Sequence, residues 1–178
     1  MGRARMISTV MLLALLVTVA LSVPGDGGQA AAVEPRTVTA SLMIPAAALV
    51  PIVDSYDYTN NGYDLKVDSD HGYFTAPVFF PVPVVNIKRI TLYAWDNNGA
   101  AQICIWLYRA RPAAGGGDSQ GSVCTGNSAA NPQAPYTTAI SSRRVNTASQ
   151  AAYLWVRITA PGVALYGLKV TYSYETGT

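Results

Sequence analysis

Ile103-Cys104-Ile105-Trp106-Leu107-Tyr108 switches residue type at every step, and in a β-strand successive side chains point to opposite faces. Ile103, Ile105 and Leu107 therefore share one side, while Cys104, Trp106 and Tyr108 share the other. Working outward, the same division recurs upstream, where Ile90, Leu92 and Ala94 oppose Thr91, Tyr93 and Trp95, and downstream, where Leu154, Val156 and Ile158 oppose Tyr153, Trp155 and Arg157. Between these runs, segments rich in Val, Ile, Thr, Tyr and Trp alternate with Gly, Pro, Asn, Asp and Ser clusters, the pattern of many short strands. Past the N-terminus no window sustains a helical period, and Pro45 and Pro51 bracket Ala46-Ala47-Ala48 too closely for a helix. Strands are expected over 38–44, 49–53, 63–67, 73–76, 87–95, 101–109, 121–125, 137–141, 153–159 and 165–174. The expected fold class is all-β, an antiparallel β-sandwich of jelly-roll type.

The central run also suggests a hairpin. Pro112-Ala113-Ala114-Gly115-Gly116-Gly117-Asp118 reads as its tip, and positions 104 and 124 are equidistant from position 114. In an antiparallel pair centred there, Cys104 faces Cys124, Ile105 faces Val123 and Trp106 faces Ser122. Facing residues place their Cβ atoms ~4.5–5.5 Å apart, close enough for a disulfide after modest adjustment. These are the only two cysteines, and an oxidising compartment would join them.

That compartment is indicated by the N-terminus. Arg3 and Arg5 precede an apolar stretch from Met6 to Val23, then Pro24-Gly25-Asp26-Gly27-Gly28, then Ala30-Ala31-Ala32. Positive, apolar, breaker and small-residue segments in that order describe a signal-peptide helix cut after Ala32. The expected organisation is thus a signal peptide over 1–32, a short linker over 33–37 and one β-sandwich domain over 38–178. An uncleaved membrane anchor is the alternative, since the apolar stretch approaches the ~20 residues that cross a bilayer; the breaker and the Ala-x-Ala site favour removal, leaving contact with the membrane only during export. The full chain has 12 basic and 10 acidic residues, and losing Arg3, Arg5 and Asp26 leaves 10 and 9. So balanced a surface has no strong long-range field, which argues against nucleic acid or anionic membrane as the partner. The product is expected outside the cytoplasm, as an extracellular, cell-surface or periplasmic protein.

Branched aliphatic side chains pack densely and carry no polar atom that needs a partner, so the aliphatic sets make the better core. Tyr93, Trp95, Trp106, Tyr108, Tyr153 and Trp155 then face outward, all three tryptophans among them. Exposed rings on a sheet can stack on the C–H faces of sugars while phenol hydroxyls hydrogen-bond to them. Two other readings stay open: loops could cover the rings as a second small core, or the strands could lie apart so that no single patch forms.

Asp54, Asp57, Asp64, Asp68 and Asp70 crowd one region with Asn60, Asn61 and His71. Calcium takes several oxygen ligands, so a structural calcium ion is one candidate there; the spacing does not match an EF-hand, and Asp and Asn are also what turns are made of. Asp70 and Gly72 around His71, the only histidine, point to a turn rather than a base. The chain has no nucleophile elbow, zinc-protease helix or phosphate-binding glycine loop, and no cofactor is expected otherwise. Paired carboxylates for glycoside cleavage would have to come from the same aspartates. Asp96-Asn97-Asn98-Gly99 reads as a turn, with Asn-Gly a hairpin signal.

Gly72-Tyr73-Phe74-Thr75-Ala76-Pro77-Val78, 87–97 around Ile90-Thr91-Leu92-Tyr93-Ala94-Trp95, Ile105-Trp106-Leu107-Tyr108-Arg109 and Tyr166-Gly167-Leu168-Lys169-Val170-Thr171-Tyr172 together resemble secreted bacterial β-sandwich domains of uncharacterised function. The resemblance implies a single sandwich behind a signal peptide and brings no active site with it. The expected function is a secreted, non-enzymatic binding or surface module, with a glycan or cell-surface component as partner. A structural or self-assembling exported protein is the first alternative and a hydrolase the second; nothing in the sequence sets an oligomeric state.

Overall fold

The computed structural model describes residues 34–126 and 129–177, so the expected signal peptide lies outside the described residues. In chain order the strands are β1 (Arg36–Pro45), β2 (Val50–Pro51), β3 (Tyr58–Asn60), β4 (Leu65–Val67), β5 (Gly72–Val78), β6 (Val84–Asp96), β7 (Ile103–Arg111), β8 (Gly116–Cys124), β9 (Ala129–Gln133), β10 (Tyr136–Thr137), β11 (Arg144–Asn146), β12 (Ala151–Ile158) and β13 (Val163–Thr176). Among the described residues the only helical segments are two 3₁₀ turns, Ala46–Ala48 and Pro112–Ala114, and no helix is long and apolar enough to cross a membrane.

All pairings are antiparallel, and they make two sheets. In the first, β13 lies between β1 and β6, and β9, β10 and β11 pair in turn along the other edge of β6; β4 joins β13 at Leu165, and β3 joins β4. The second runs β2-β5-β12-β7-β8. After β5 the chain passes to the first sheet for β6, returns for the β7–β8 hairpin, crosses for β9 to β11, returns for β12 and crosses again for β13. This is the double Greek key of a jelly roll.

Side-chain alternation explains why the two sheets close on each other. Ile90, Leu92, Ala94, Ile103, Ile105, Leu107, Leu154, Val156 and Ile158 are all fully buried between them, joined by Phe74, Leu165 and Leu168. Burying each large aliphatic or aromatic side chain contributes about 1.5–3 kcal/mol relative to leaving it in water. The aliphatic sets therefore form the interior, as the alternation requires.

The cysteines face each other and are bridged, with Ile105 opposite Val123 and Trp106 opposite Ser122. The expected register breaks nearer the tip, where Tyr108 pairs with Ser119. Gln120 is the inserted residue of this bulge. It points inward with Gly121, is fully buried and donates from Nε2 to the Ser142 carbonyl at 2.8 Å. A side chain at position 121 would meet Ile140 Cδ1 at 3.0 Å and the Ala139 carbonyl oxygen at 3.1 Å, so glycine suits the close approach. The turn itself tightens to Pro112–Ala114 and closes on Gly115 at φ 64°, the left-handed region that glycine enters freely.

Other departures have local causes. Asp96-Asn97-Asn98-Gly99 is a turn but not a hairpin: it leads from β6 in one sheet to β7 in the other. Asp96 is buried there, accepting from Thr125 Oγ1 at 2.6 Å and from the Asn98 backbone N–H at 3.2 Å. The strands β3, β9 and β11 were not expected, and of the run 137–141 only Thr137 is extended in a ladder. Arg144-Val145-Asn146 and Ala129-Ala130-Asn131-Pro132-Gln133 lack strand-forming composition and owe their conformation to pairing with β6.

Near the hairpin tip, Arg109 and Arg111 both reach Asp118, at 2.6 and 2.8 Å. The Arg109 hydrogen bond holds the Asp118 carboxyl below its ordinary value, and the Arg111 charge adds to the effect against the opposing influence of burial. A lowered folded value means that this contribution is present above the ordinary aspartate pKa and is lost as pH falls through the lowered one. Titration of the Asp118 carboxyl carbon by NMR should give a midpoint below the usual aspartate range, and Arg109→Gln should return it toward that range; an ordinary midpoint in the unmodified protein would disprove the pairing.

Candidate functional site

The register of the second sheet arranges its outward residues in rows. Pro77, Tyr153, Tyr108 and Ser119 form one row across β5, β12, β7 and β8; Thr75, Trp155, Trp106 and Ser122 form the next; Tyr73, Arg157, Cys104 and Cys124 form the third. Four of the six aromatic residues expected on an outer face, Trp106, Tyr108, Tyr153 and Trp155, are thus neighbours on one surface. Trp155 is 37% exposed, and the other three are half-buried at their edges.

The rings form a continuous band. Tyr108 and Tyr153 stack with centroids 5.3 Å apart and planes 12° from parallel. Tyr108 lies 5.8 Å from Trp155, and Trp155 meets Tyr73 edge-on at 6.1 Å. Tyr73 continues to His71 at 5.6 Å and Tyr56 at 6.2 Å. Tyr73, Trp106, Tyr108, Trp155 and Arg157 line a shallow depression of about 300 Å³. Burial raises the Tyr153 phenol above its ordinary value, and Tyr108 beside it acts in the same direction. Tyr153 is therefore neutral at neutral pH and can both donate and accept a hydrogen bond.

Tyr93 and Trp95 are not part of this band. They lie on β6 in the first sheet and face outward on the opposite side of the sandwich. There Tyr93 has Lys169 Nζ 5.8 Å from its ring, and Trp95 is opposite Ala164 and Pro132. The surface around them combines hydroxyls and cations, including the Ser41–Thr171 hydroxyl pair at 3.1 Å, with the exposed Tyr136 and Met43, which pair with Thr91 and Lys169. Conversely, Tyr73 was missed. Its signal was present in the sequence, because Tyr73 alternates with Phe74 as Trp155 does with Leu154 and Val156.

The aspartates do not converge. Asp64 is buried and held by Lys66 Nζ at 2.7 Å, Asp68 accepts from Thr59 Oγ1 at 2.7 Å, and Asp70 lies 3.1 Å from His71 Nδ1. Asp54 and Asp57 are exposed. Among the described residues no three His, Cys, Asp or Glu side chains are grouped to hold a metal ion. The Lys66 and Thr59 partners account for two of the acids as parts of a turn network. A larger groove, about 620 Å³, lies at the other end of the sandwich and includes Asn86, Arg144, Tyr174 and Glu175. It contains only one ring, so it lacks the stacking surface of the second sheet.

Fold and surface together define an all-β sandwich with a ring-lined outer face. No protein-family model and no curated protein matches the chain. Among solved structures, one described as showing the promiscuous specificity of carbohydrate-binding modules from the β-sandwich superfamily is similar at a TM-score of 0.40 and 10% identity, over 78% of this chain and 54% of that one. A structure of infectious bursal disease virus, Gx strain, is similar at 0.39 and 10% identity, over 79% and 32% of the respective chains. The module TmCBM61, solved with β-1,4-galactotriose, is similar at 0.34 and 13% identity, over 83% and 90%. The chain thus spans about half the length of the first and a third of the second.

Proposed function

We propose that this chain is an exported, non-enzymatic binding module whose ligand is a glycan, held on the outer face of the second sheet by Tyr73, Trp106, Tyr108, Tyr153 and Trp155. The observation that carries this reading is the unbroken ring band from Tyr153 through Tyr108 and Trp155 to Tyr73, with the depression beside it. Small-ligand sites combine apolar, aromatic walls with a few fixed polar groups. A pyranose offers a flat C–H face for the rings and hydroxyls for the phenols, so it uses both parts. Strands rather than loops hold the rings, which lowers the ordering cost of binding. The disulfide fits an oxidising compartment, in keeping with export.

Trp155→Ala should weaken binding of a recognised oligosaccharide by about tenfold or more, the scale on which loss of a stacked aromatic contact is felt at a binding centre, with little change in thermal midpoint. Tryptophan fluorescence on a glycan array hit, followed by calorimetry, measures it. A blank array, together with tryptophans shielded from a soluble quencher, would remove the basis for the reading.

One observation favours self-association through the same face. Val50, 54% exposed, pairs beside Thr75, and Ile52, 46% exposed, donates its backbone N–H to the Tyr73 carbonyl at 2.9 Å. They extend the apolar surface to the sheet edge, where a second copy could cover it. Sedimentation at increasing concentration separates the readings, since a persistent monomer contradicts assembly.

A further inference from the structure

Several cations of the described residues, Lys169 beside Tyr93 included, have no carboxylate partner, and Arg157 is the one that lies on the ring-lined face. Arg109 and Arg111 hold Asp118, Lys66 holds Asp64, Arg143 donates to the Ile140 and Thr138 carbonyls, and Arg89 covers the Tyr136 ring at 4.4 Å. Arg157 is exposed on the ring-lined face, and among the described residues no carboxylate lies within ion-pair distance of it. It sits on β12 between Tyr73 on β5 and Cys104 on β7, with Trp155 two residues away on the same face. Its guanidinium carbon is 5.8 Å from the Tyr73 ring centre, and the side chain lines the depression with Tyr73, Trp106, Tyr108 and Trp155.

A guanidinium against an aromatic face is weakly hydrated and partly pre-oriented, with its planar fork available for two parallel hydrogen bonds to a carboxylate or sulfate. A neutral sugar would use the rings and could accept from the guanidinium through its hydroxyls, but it would leave the charge uncompensated and the two-pronged fork without a matching acceptor. A nucleic acid would need several cations along its backbone, and Arg157 is the only charged residue in the three rows.

We propose that the face selects acidic sugars, those carrying a carboxylate or sulfate, and that Arg157 is the residue that selects them. This rests on reading the face as a glycan site. The rings supply binding common to neutral and acidic sugars, and the guanidinium supplies the difference between them.

The test uses matched pairs: uronic-acid oligosaccharides and the same oligosaccharides with their carboxyl groups reduced to alcohols, titrated calorimetrically against the purified protein. The unmodified protein should bind the acidic member about tenfold to a hundredfold more tightly, the range of a charge-assisted hydrogen-bonded pair, and added salt should narrow the gap. Arg157→Gln should bring the ratio close to one. Arg157→Lys should restore part of it, because it keeps the charge and loses the fork. Trp155→Ala should weaken both members together. Near-UV circular dichroism confirms that each variant folds. If the unmodified protein binds both members equally, or if Arg157→Gln keeps the preference, acid selection is wrong while the glycan reading stands. If neither member binds, nor a sulfated oligosaccharide, both fall.

Discussion

Phe74→Ala should destabilise the domain by about 3–5 kcal/mol, the range for deleting a buried aromatic ring. Phe74 is fully buried and is among the largest side chains in the core. Its ring meets Tyr58 edge-on with centroids 5.3 Å apart and lies 6.3 Å from Tyr56. Space around it is tight, since a Cβ added at Gly72 would come within 2.7 Å of the Phe74 ring and 2.8 Å of Val67. The alanine variant leaves a void between β5 and the β3–β4 pair, and the surrounding backbone is fixed by ladders on both sides of β5, so collapse into the void is limited. Urea unfolding should show a lower midpoint at an unchanged slope, and Phe74→Leu should recover a large part of the loss. A cost under about 1 kcal/mol, which is the scale of a surface substitution or a mild repacking, would mean that β5 does not close the core. Because Tyr73 and Thr75 flank Phe74 on the binding face, the same variant tests whether ring placement depends on the core beneath it.

How far the sequence discloses the site follows from what alternation encodes. A period of two assigns each side chain to one of two faces, and a sandwich has a single interior, so the separation of Ile105 from Trp106 or of Val156 from Trp155 was readable without coordinates. Alternation is silent about which strands share a sheet. Tyr93 and Trp95 show the same pattern as Trp106 and Tyr108, yet β6 and β7 cross between sheets, and the two pairs of rings end on opposite sides of the domain. Sheet membership is decided by the order of pairing, above all by β12 lying between β5 and β7 and by β13 lying against β6. Those are long-range choices made by the packed core, not local ones. The hairpin shows the limit on a smaller scale. Equal spacing about position 114 found the cysteine pair, whereas the Gln120 bulge depends on the Ser142 carbonyl and on the Ile140 side chain, both from a different part of the chain.

Replacing both cysteines, Cys104→Ala with Cys124→Ala, should lower stability by about 3 kcal/mol, the chain-entropy value for a loop of roughly 20 residues, the bridged positions being 20 apart in sequence. The loss should be uneven, because the bridge ties β8, the last strand of its sheet, to β7. Without it β8 keeps its ladder to β7 and the backbone bond from Ser141 to the Gln120 carbonyl at 2.7 Å, together with the buried Gln120 side chain. Amide hydrogen exchange should therefore quicken most at the Ser122–Cys124 end of β8, less near Gln120, and least on β12, which is paired on both sides. The binding face offers a second readout of the same inequality. Tyr153, Trp155 and Arg157 all stand on β12, Tyr73 on β5 and Trp106 and Tyr108 on β7, each of which is paired on both sides, whereas β8 contributes no ring to the face. Affinity for a neutral oligosaccharide and the preference for its acidic partner should consequently both change little in the double variant, since the rings and Arg157 stand on strands held by ladders on both sides. Uniform quickening of exchange across both sheets would show instead that the bridge stabilises the domain only through its unfolded state.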